Sequence, residues 1–226
     1  MRTLAVTISL LSLASGLLFA DKATDERLAN AAKAFNEIMA VPDKGIPESV
    51  LNKAECVVVV PGMKKGGFIV GGSFGRGTVT CRTKEKSGWG APAMVELGGG
   101  SVGLQIGAEA TDVVMLIMNK AGIDSLLKDK FTLGADASVA AGPVGREATA
   151  ETDAALKAKI LSYSRSKGIF GGVSLDGSTL QQDEGAIKAV YGKQLNASDI
   201  LGGGVATPPA AMPLNQALTK YSAKGI

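Results

Sequence analysis

The hydrophobic pattern of this chain is dominated by a long apolar stretch, interrupted by glycines, that runs from Cys56 to Asn119. Valine, isoleucine, threonine and small residues recur there without the i, i+3, i+4 spacing of an amphipathic helix, so the pattern predicts strands. Glycine gives up side-chain packing inside a strand, and its frequency here indicates bulges, tight bends or close backbone approaches. We therefore expect a curved, glycine-rich antiparallel sheet with a barrel-like core, in which VVMLIM is buried on both faces.

Short helices are predicted to flank this sheet, which makes the fold class α+β. The first helix follows Asp21, with Thr24 or Asp25 as its N-cap. Its apolar positions share one face: Leu28, Ala31, Ala32, Phe35, Ile38 and Met39. Packing of this face on the sheet is the favoured interpretation, and insertion into a bilayer is the alternative. A further short helix is predicted to end at Gly192.

The two ends of the chain differ in character from the region between them. Residues 1–20 begin with Arg2, continue as a short apolar segment and end at Ala20, the order typical of a cleaved signal peptide. Residues 21–201 are expected to form one domain. Residues 202–226 begin as a Gly/Ala/Pro-rich linker, so we expect a poorly ordered tail or a marginal helix. The sequence thus predicts a periplasmic or secreted protein, either free or peripheral to a membrane.

Composition limits the functions that this chain can have. It has 226 residues, a formal net charge of +3 and no histidine. Removal of Arg2 with the signal leaves 23 basic against 21 acidic residues, a net charge of +2, so the broad basic footprint of a nucleic-acid-binding protein is absent. Without histidine, the usual nucleophile arrangements and imidazole metal sites are excluded. We expect a protein that is not an enzyme and has neither a cofactor nor a metal.

One short motif suggests a cofactor but does not meet the requirements for one. Residues 98–103 satisfy the G-x-G-x-x-G pattern. A dinucleotide site also requires a helix immediately afterwards, because the pyrophosphate binds at that helix's N-terminus. The following LQIGAEA is predicted to be strand. We therefore attribute the motif to the high glycine content of the chain.

Five blocks of the sequence follow one another in a distinctive order: IPESVLNKAECVVVVPGMKKGGFIVGGSFGRGTVTCR, WGAPAMVELGGGSVGLQIGAEATDVVMLIMN, LGADASVAAGPVGREATAETD, YSRSKGIFGGVSLDGS and YGKQLNASDIL. Their order and spacing resemble those of the SYLF domain family, over roughly Ala29 to Leu201. The resemblance implies a lipid-binding domain, with phosphoinositides as ligands and actin as a partner in eukaryotic members. Because of the signal peptide, we expect an exported bacterial member, for which actin is an implausible partner.

Cations beside apolar residues are the pattern that a membrane-surface contact uses, since charge meets the headgroups while apolar groups enter the interface. Two predicted strand turns have this pattern, the first formed by Lys64, Lys65, Gly66 and Gly67 and the second within SRSKGIF. The candidate lipid-binding residues are Lys64, Lys65, Phe68, Arg76, Arg165, Lys167 and Phe170. Solvated turn charges beside ordinary core residues explain the pattern equally well.

Three functions are therefore weighed. The leading hypothesis is an exported module that recognises anionic phospholipid headgroups at a membrane surface, with no nucleic acid partner and an unknown protein partner. The alternative is a structural or protein-interaction scaffold of the cell envelope. The third is a hydrolase, for which the loosely placed candidates are Ser73, Ser101, Asp112, Asp136 and Tyr163.

The two cysteines of the chain, Cys56 and Cys81, fall in neighbouring segments of the predicted sheet. An oxidising compartment would permit them to form a disulfide. We expect this bond, provided that the strand register brings the two Cβ atoms face to face.

Overall fold

A computed structural model gives the structure of most of the chain. It describes residues 4–41, 45–67, 70–83, 88–102, 109–128, 130–145, 158–166, 169–173 and 175–222. For residues 4–21, 65–67, 70, 71, 101, 102 and 109 it describes the backbone alone.

The glycine-rich stretch forms the centre of a nine-stranded sheet that bends into a half-barrel. Its strands are β1 Cys56–Gly67, β2 Val70–Cys81, β3 Ala93–Val102, β4 Glu109–Ile117, β5 Lys130–Thr132, β6 Val139–Ala141, β7 Ile160–Ser166, β8 Ile169–Gly172 and β9 Thr179–Gln182. Their order is β5-β9-β3-β2-β1-β4-β7-β6, with β8 also paired to β7. All these pairs are antiparallel except β6 with β7, which is parallel. The predicted fold class is confirmed, apart from this one parallel pair.

Helices cover both faces of the sheet. Those in the described ranges are α1 Leu4–Met39, α2 Glu48–Leu51, α3 Lys120–Leu126, α4 Glu184–Tyr191, α5 Ala197–Asp199 and α6 Met212–Tyr221. The helix α1 is much longer than the short helix predicted, and it continues through Thr24 and Asp25 instead of beginning there. By contrast, α4 ends at Gly192 as predicted, because this glycine adopts a left-handed conformation with φ 69°.

Two hydrophobic clusters lie on opposite faces of the sheet. Phe35 and Ile38 of α1 pack in one cluster with Val57 and Leu116, whereas Met115 belongs to the other. Side chains alternate between the faces of a strand, so a strand that is covered on both sides must be apolar throughout. The expected burial on both faces is confirmed for residues 113–117 of VVMLIM, whereas Met118 is half-buried, and the packing of α1 on the sheet is confirmed.

A β-bulge interrupts the pairing of β1 with both of its neighbouring strands. Pairing of β1 with β2 stops at Val59 and resumes at Lys64, and pairing with β4 stops at Val60 and resumes at Met63. Within this bulge Gly62 has a φ of 57°, a conformation that glycine adopts at little cost. The strand then continues to Gly67. The prediction that Lys64 lies in a turn was wrong, because the ladder of β1 and β2 extends past it.

The C-terminal segment is part of the folded domain, which corrects the expectation of a poorly ordered tail after residue 201. Leu214, Ala217 and Leu218 of α6 are buried, and they pack in the same cluster as Phe35. Trp89 is buried as well, and its indole N–H donates a hydrogen bond to the hydroxyl oxygen of Ser222 at 3.0 Å. An i, i+3, i+4 apolar face thus docks the last helix against α1.

The cysteines Cys56 and Cys81 occupy directly opposite positions on β1 and β2. The structure joins them by a disulfide. Both residues are buried. The bond therefore ties together the two central strands at the end of the sheet opposite to their connecting turn.

Candidate functional site

Three pairs of consecutive strands have their adjoining ends at one end of the sheet. Gly67 pairs with Gly71 where β1 turns into β2, and Lys65 pairs with Glu109 at the start of β4. Since Asp112 of β4 pairs with Arg165 of β7, the end of β7 and the start of β8 lie at this same end. We call it the glycine-rich end, after the glycines at positions 66, 67, 71, 72, 99 and 100. The topology thus places the strand ends beside the two predicted basic turns at the same end of the sheet.

Two cations and an aromatic ring share one face of the glycine-rich end. Lys64 of β1 stands directly opposite Phe74 of β2, and Arg76 follows two residues later, so all three side chains lie on the same face. The ring of Phe74 is 49% exposed. The guanidinium carbon of Arg76 lies 5.7 Å from the centre of this ring. Arg76 Nε also donates to Glu96 at 3.0 Å, and in this ion pair the Arg76 side chain is 58% exposed and that of Glu96 is 18% exposed.

A second exposed apolar side chain lies at the same end of the sheet, on the edge strand β8. Ile169, the first residue of β8, is 78% exposed and pairs with Ser166 beside the connection from β7. Phe74 and Ile169 were not among the candidate lipid-binding residues, because an apolar residue in a strand is ordinarily part of the core. Their placement beside the predicted basic turns was the signal that was available.

The other candidate residues have different positions. Phe170 is half-buried and stacks on Tyr163, with ring centres 5.7 Å apart. Phe68 and Lys167 lie outside the described residues, and of Lys65 only the backbone is described. Of the seven candidate lipid-binding residues, the structure therefore places Lys64 and Arg76 together at the surface.

Arg165 is held by carboxylates instead of facing an external ligand. Its guanidinium donates to Asp112 Oδ2 at 2.8 Å and to the carboxylate of Glu37 on α1. Asp112 Oδ1 also accepts a hydrogen bond from the backbone N–H of Gly62 at 2.9 Å. Burial lowers the pKa of Arg165, but the hydrogen bonds and charges of the two carboxylates outweigh this effect and raise the pKa overall. The network joins α1, β7, β4 and the β1 bulge.

We expect Arg165→Gln to lower the free energy of unfolding by about 2 kcal/mol, because it removes charge-assisted hydrogen bonds and leaves two carboxylates close together. Urea denaturation followed by circular dichroism measures the effect. Lys33→Gln is the control, since the Lys33 side chain is 73% exposed and its nitrogen lies 4.0 Å from Glu37. Unchanged stability of Arg165→Gln would contradict the structural role of this network.

A groove runs along α1 beside the bulge of β1. It consists of two adjoining depressions of about 330 and 350 Å³, both lined by Asn30, Pro61 and Gly62. One depression extends to Glu37 and Asp112, and the other to the Lys64, Phe74 and Arg76 face. We call this feature the α1 groove. It connects the Arg165 network to the glycine-rich end.

The hydrolase candidates do not assemble into a catalytic group within the described ranges. Ser73 donates to the Gly99 carbonyl at 3.3 Å, and Asp136 accepts from the Thr132 amide at 2.7 Å. Asp112 is bound to Arg165, and burial raises the pKa of Tyr163. Ser101 has only its backbone described. Among the described side chains, moreover, no cluster of three or more potential ligands could hold a metal ion.

Comparison with known proteins identifies the family. The model of the Ysc84 family, described as "Las17-binding protein actin regulator", matches residues 98–221, more than half of the chain. The chain belongs to this family, the family of the SYLF domain, and the resemblance noted in the sequence is confirmed. The match extends through α6, in agreement with the packing of the C-terminal segment.

The relatives are longer eukaryotic proteins. SH3 domain-containing protein PJ696.02 of Schizosaccharomyces pombe is 40% identical over 176 residues, which cover 76% of this chain and 40% of that protein. LAS seventeen-binding protein 3 of Saccharomyces cerevisiae is 36% identical over 179 residues, which cover 78% of this chain and 39% of that protein. SH3 domain-containing YSC84-like protein 1 of Homo sapiens is 31% identical over 206 residues, which cover 90% of this chain and 60% of that protein. The chain spans two to three fifths of their length, and their names state a domain or a binding partner and no enzymatic activity.

Proposed function

We propose that this protein is a lipid-binding module whose glycine-rich end docks on an anionic membrane surface. The observation that carries the proposal is the shared face of Lys64, Phe74 and Arg76, where an exposed aromatic ring lies between two cations. An aromatic side chain can enter the interfacial region while neighbouring cations meet the headgroups. The exposed Ile169 at the same end supplies a second apolar contact.

Local charge, and not net charge, is the basis of this proposal. A net charge near +2 attracts a membrane weakly, whereas each lysine or arginine close to the surface contributes about 1 kcal/mol. Lys64 and Arg76 together would therefore contribute about 2 kcal/mol, with Lys65 and Lys167 as further predicted contributors. Among the described residues, no helix is long and apolar enough to cross a membrane.

Co-sedimentation with phosphatidylcholine vesicles, with and without 30% phosphatidylglycerol, tests the proposal. We expect binding that requires the anionic lipid, falls with salt, and weakens roughly 30-fold in Lys64→Gln/Arg76→Gln, the equivalent of about 2 kcal/mol. Lys120→Gln is the matched control, because Lys120 is exposed and follows β4 at the opposite end of the sheet.

Two results would contradict this mechanism. The first is equal binding of the Lys64→Gln/Arg76→Gln and Lys120→Gln proteins. The second is the absence of binding to anionic vesicles by wild-type protein that is folded by circular dichroism. The latter result would favour the alternative, a protein-interaction scaffold, which the family description as Las17-binding also supports.

We further propose that the protein is exported and cleaved near Asp21. The signal-like order of residues 1–20 supports export, and a disulfide between buried cysteines suits an oxidising compartment. Intact mass spectrometry after alkylation, applied to protein from the envelope of its source cell, is expected to show a start near Asp21 and no alkylated thiol. A chain that retains Met1 and carries two alkylated cysteines would refute both export and the bond.

A further inference from the structure

A row of polar side chains crosses the sheet beside the exposed ring of Phe74. Arg76 of β2 stands directly opposite Glu96 of β3, and Glu96 stands directly opposite Gln181 of β9. Directly opposite residues of paired strands project from the same face of a sheet. Glu96 therefore shares a face with Lys64 and Arg76, the two cations of the proposed membrane contact. We call this face of the sheet the docking face.

The carboxylate of Glu96 is held from two sides. Its Oε1 atom accepts a hydrogen bond from Arg76 Nε at 3.0 Å, and its Oε2 atom accepts one from Gln181 Nε2 at 3.1 Å. The Glu96 side chain is 18% exposed, whereas that of Arg76 is 58% exposed. Because two hydrogen bonds fix the carboxylate close to the sheet, the more exposed arginine side chain is the member of the pair that can turn towards another anion.

This ion pair reduces what Arg76 can contribute to a membrane contact. A guanidinium that binds a lipid phosphate through the same N–H must leave the carboxylate of Glu96, and an exposed ion pair stabilises the bound arrangement by up to about 5-fold. The carboxylate also stays at the docking face after the arginine has turned away, and there it repels anionic headgroups. Glu96 thus opposes membrane binding in two ways, by occupying Arg76 and by its own charge.

We propose that Glu96 limits the affinity of the docking face for anionic membranes by competing with lipid phosphates for the guanidinium of Arg76. This role of Glu96 rests on the proposed membrane contact and concerns its strength. Lys64 and Arg76 supply the attraction, Glu96 weakens it, and Gln181 keeps the competing carboxylate in place. The wild-type protein therefore binds an anionic surface less tightly than its two cations alone would allow.

Co-sedimentation of Glu96→Gln with phosphatidylcholine vesicles that contain 30% phosphatidylglycerol tests this role. Glutamine keeps the size of the side chain and an oxygen that can accept from Arg76, but it removes the negative charge. We expect Glu96→Gln to bind about 15-fold more tightly than wild type, with a factor of about 5 from the lost repulsion and about 3 from the released arginine. Glu48→Gln is the matched control, because Glu48 is exposed on α2, the helix that precedes Cys56 at the opposite end of the sheet. It should change binding less than 2-fold.

The same substitution in an Arg76→Gln background separates competition from simple repulsion. Without Arg76 the carboxylate has no guanidinium to occupy, so Glu96→Gln should then tighten binding only about 5-fold. Equal gains in the two backgrounds would show that Glu96 acts through its charge alone and would refute the competition. The absence of any gain in Glu96→Gln protein that is folded by circular dichroism would refute it as well.

The outcomes also separate this role of Glu96 from the membrane contact itself. If wild type binds the anionic vesicles and Glu96→Gln binds no more tightly, the role of Glu96 is refuted while the membrane contact stands. If Glu96→Gln binds and wild type does not, the role of Glu96 is supported while docking of the wild-type protein is refuted. Binding of neither protein refutes both.

Discussion

Gly77→Ala is expected to lower the free energy of unfolding by about 3 kcal/mol or more, a large part of the stability of a typical domain. A Cβ atom at this position would collide with the backbone carbonyl oxygen of Val59 and with the backbone and side chain of Val60. These atoms lie where β1 enters its bulge, and they cannot move without breaking the ladder that shapes the α1 groove. Because two of these atoms belong to the backbone, rotation of a side chain cannot relieve the collision.

Gly100→Ala is the matched control for this substitution. Gly100 also lies in a strand of the glycine-rich sheet, but a Cβ atom there would have no neighbour within 4 Å. Its stability should remain within about 0.5 kcal/mol of wild type, as for a surface substitution. Urea denaturation of the three proteins gives the comparison. Equal stabilities for Gly77→Ala and Gly100→Ala would show that β1 does not approach β2 as closely as the structure indicates.

Leu218→Ala is expected to cost about 3 kcal/mol, because a fully buried leucine leaves a cavity that its surroundings fill only partly. Leu218 lies in the hydrophobic cluster that also contains Phe35 of α1. Loss of this side chain should therefore destabilise the whole domain in a single transition. We expect the midpoint of urea unfolding to fall, while the slope m of the unfolding free energy against urea concentration stays unchanged.

Met212→Ala, on the same helix, provides the comparison for Leu218→Ala. Met212 is 48% exposed, so its truncation should cost much less than that of Leu218. If Leu218→Ala has the stability of Met212→Ala, the C-terminal helix does not contribute to the core. The expectation of a marginal tail after residue 201 would then have been right.

The architecture of the sheet could be predicted from the sequence because its causes are local. Alternation of β-branched residues and glycine predicts curved strands, and continuous apolar residues in VVMLIM predict burial on both faces. The cysteines were expected to pair because neighbouring strands of a hairpin-rich sheet are adjacent in space. Each of these inferences needs only the residues of one or two neighbouring elements.

The C-terminal helix was misjudged because composition outweighed periodicity. The Gly/Ala/Pro-rich residues 202–213 suggested a linker, although Leu214, Ala217 and Leu218 have the spacing of an apolar helical face. Whether such a face is buried depends on a partner surface. Here that surface belongs to α1, more than 170 residues earlier in the chain, and no local pattern reveals it.

The candidate site could be predicted only in part, because side-chain partners are a tertiary property. Lys64 and Arg76, two of the candidate lipid-binding residues, are exposed in the structure, but their aromatic neighbour Phe74 was not among the candidates. Arg165 appeared equivalent to them in the sequence, yet its guanidinium is bound by Glu37 and Asp112, which come from two distant elements. Sequence alone could not distinguish a cation facing solvent from one that joins a helix to the sheet.

The most direct test of the membrane contact is the depth to which the glycine-rich end enters a bilayer. Quenching of tryptophan fluorescence by brominated lipids measures this depth in vesicles containing phosphatidylglycerol. The native Trp89 is buried and provides the unquenched reference. We predict that Phe74→Trp and Ile169→Trp add emission that is quenched on binding, whereas wild-type emission is not. Vesicle-bound protein in which neither position is quenched would contradict docking through the glycine-rich end.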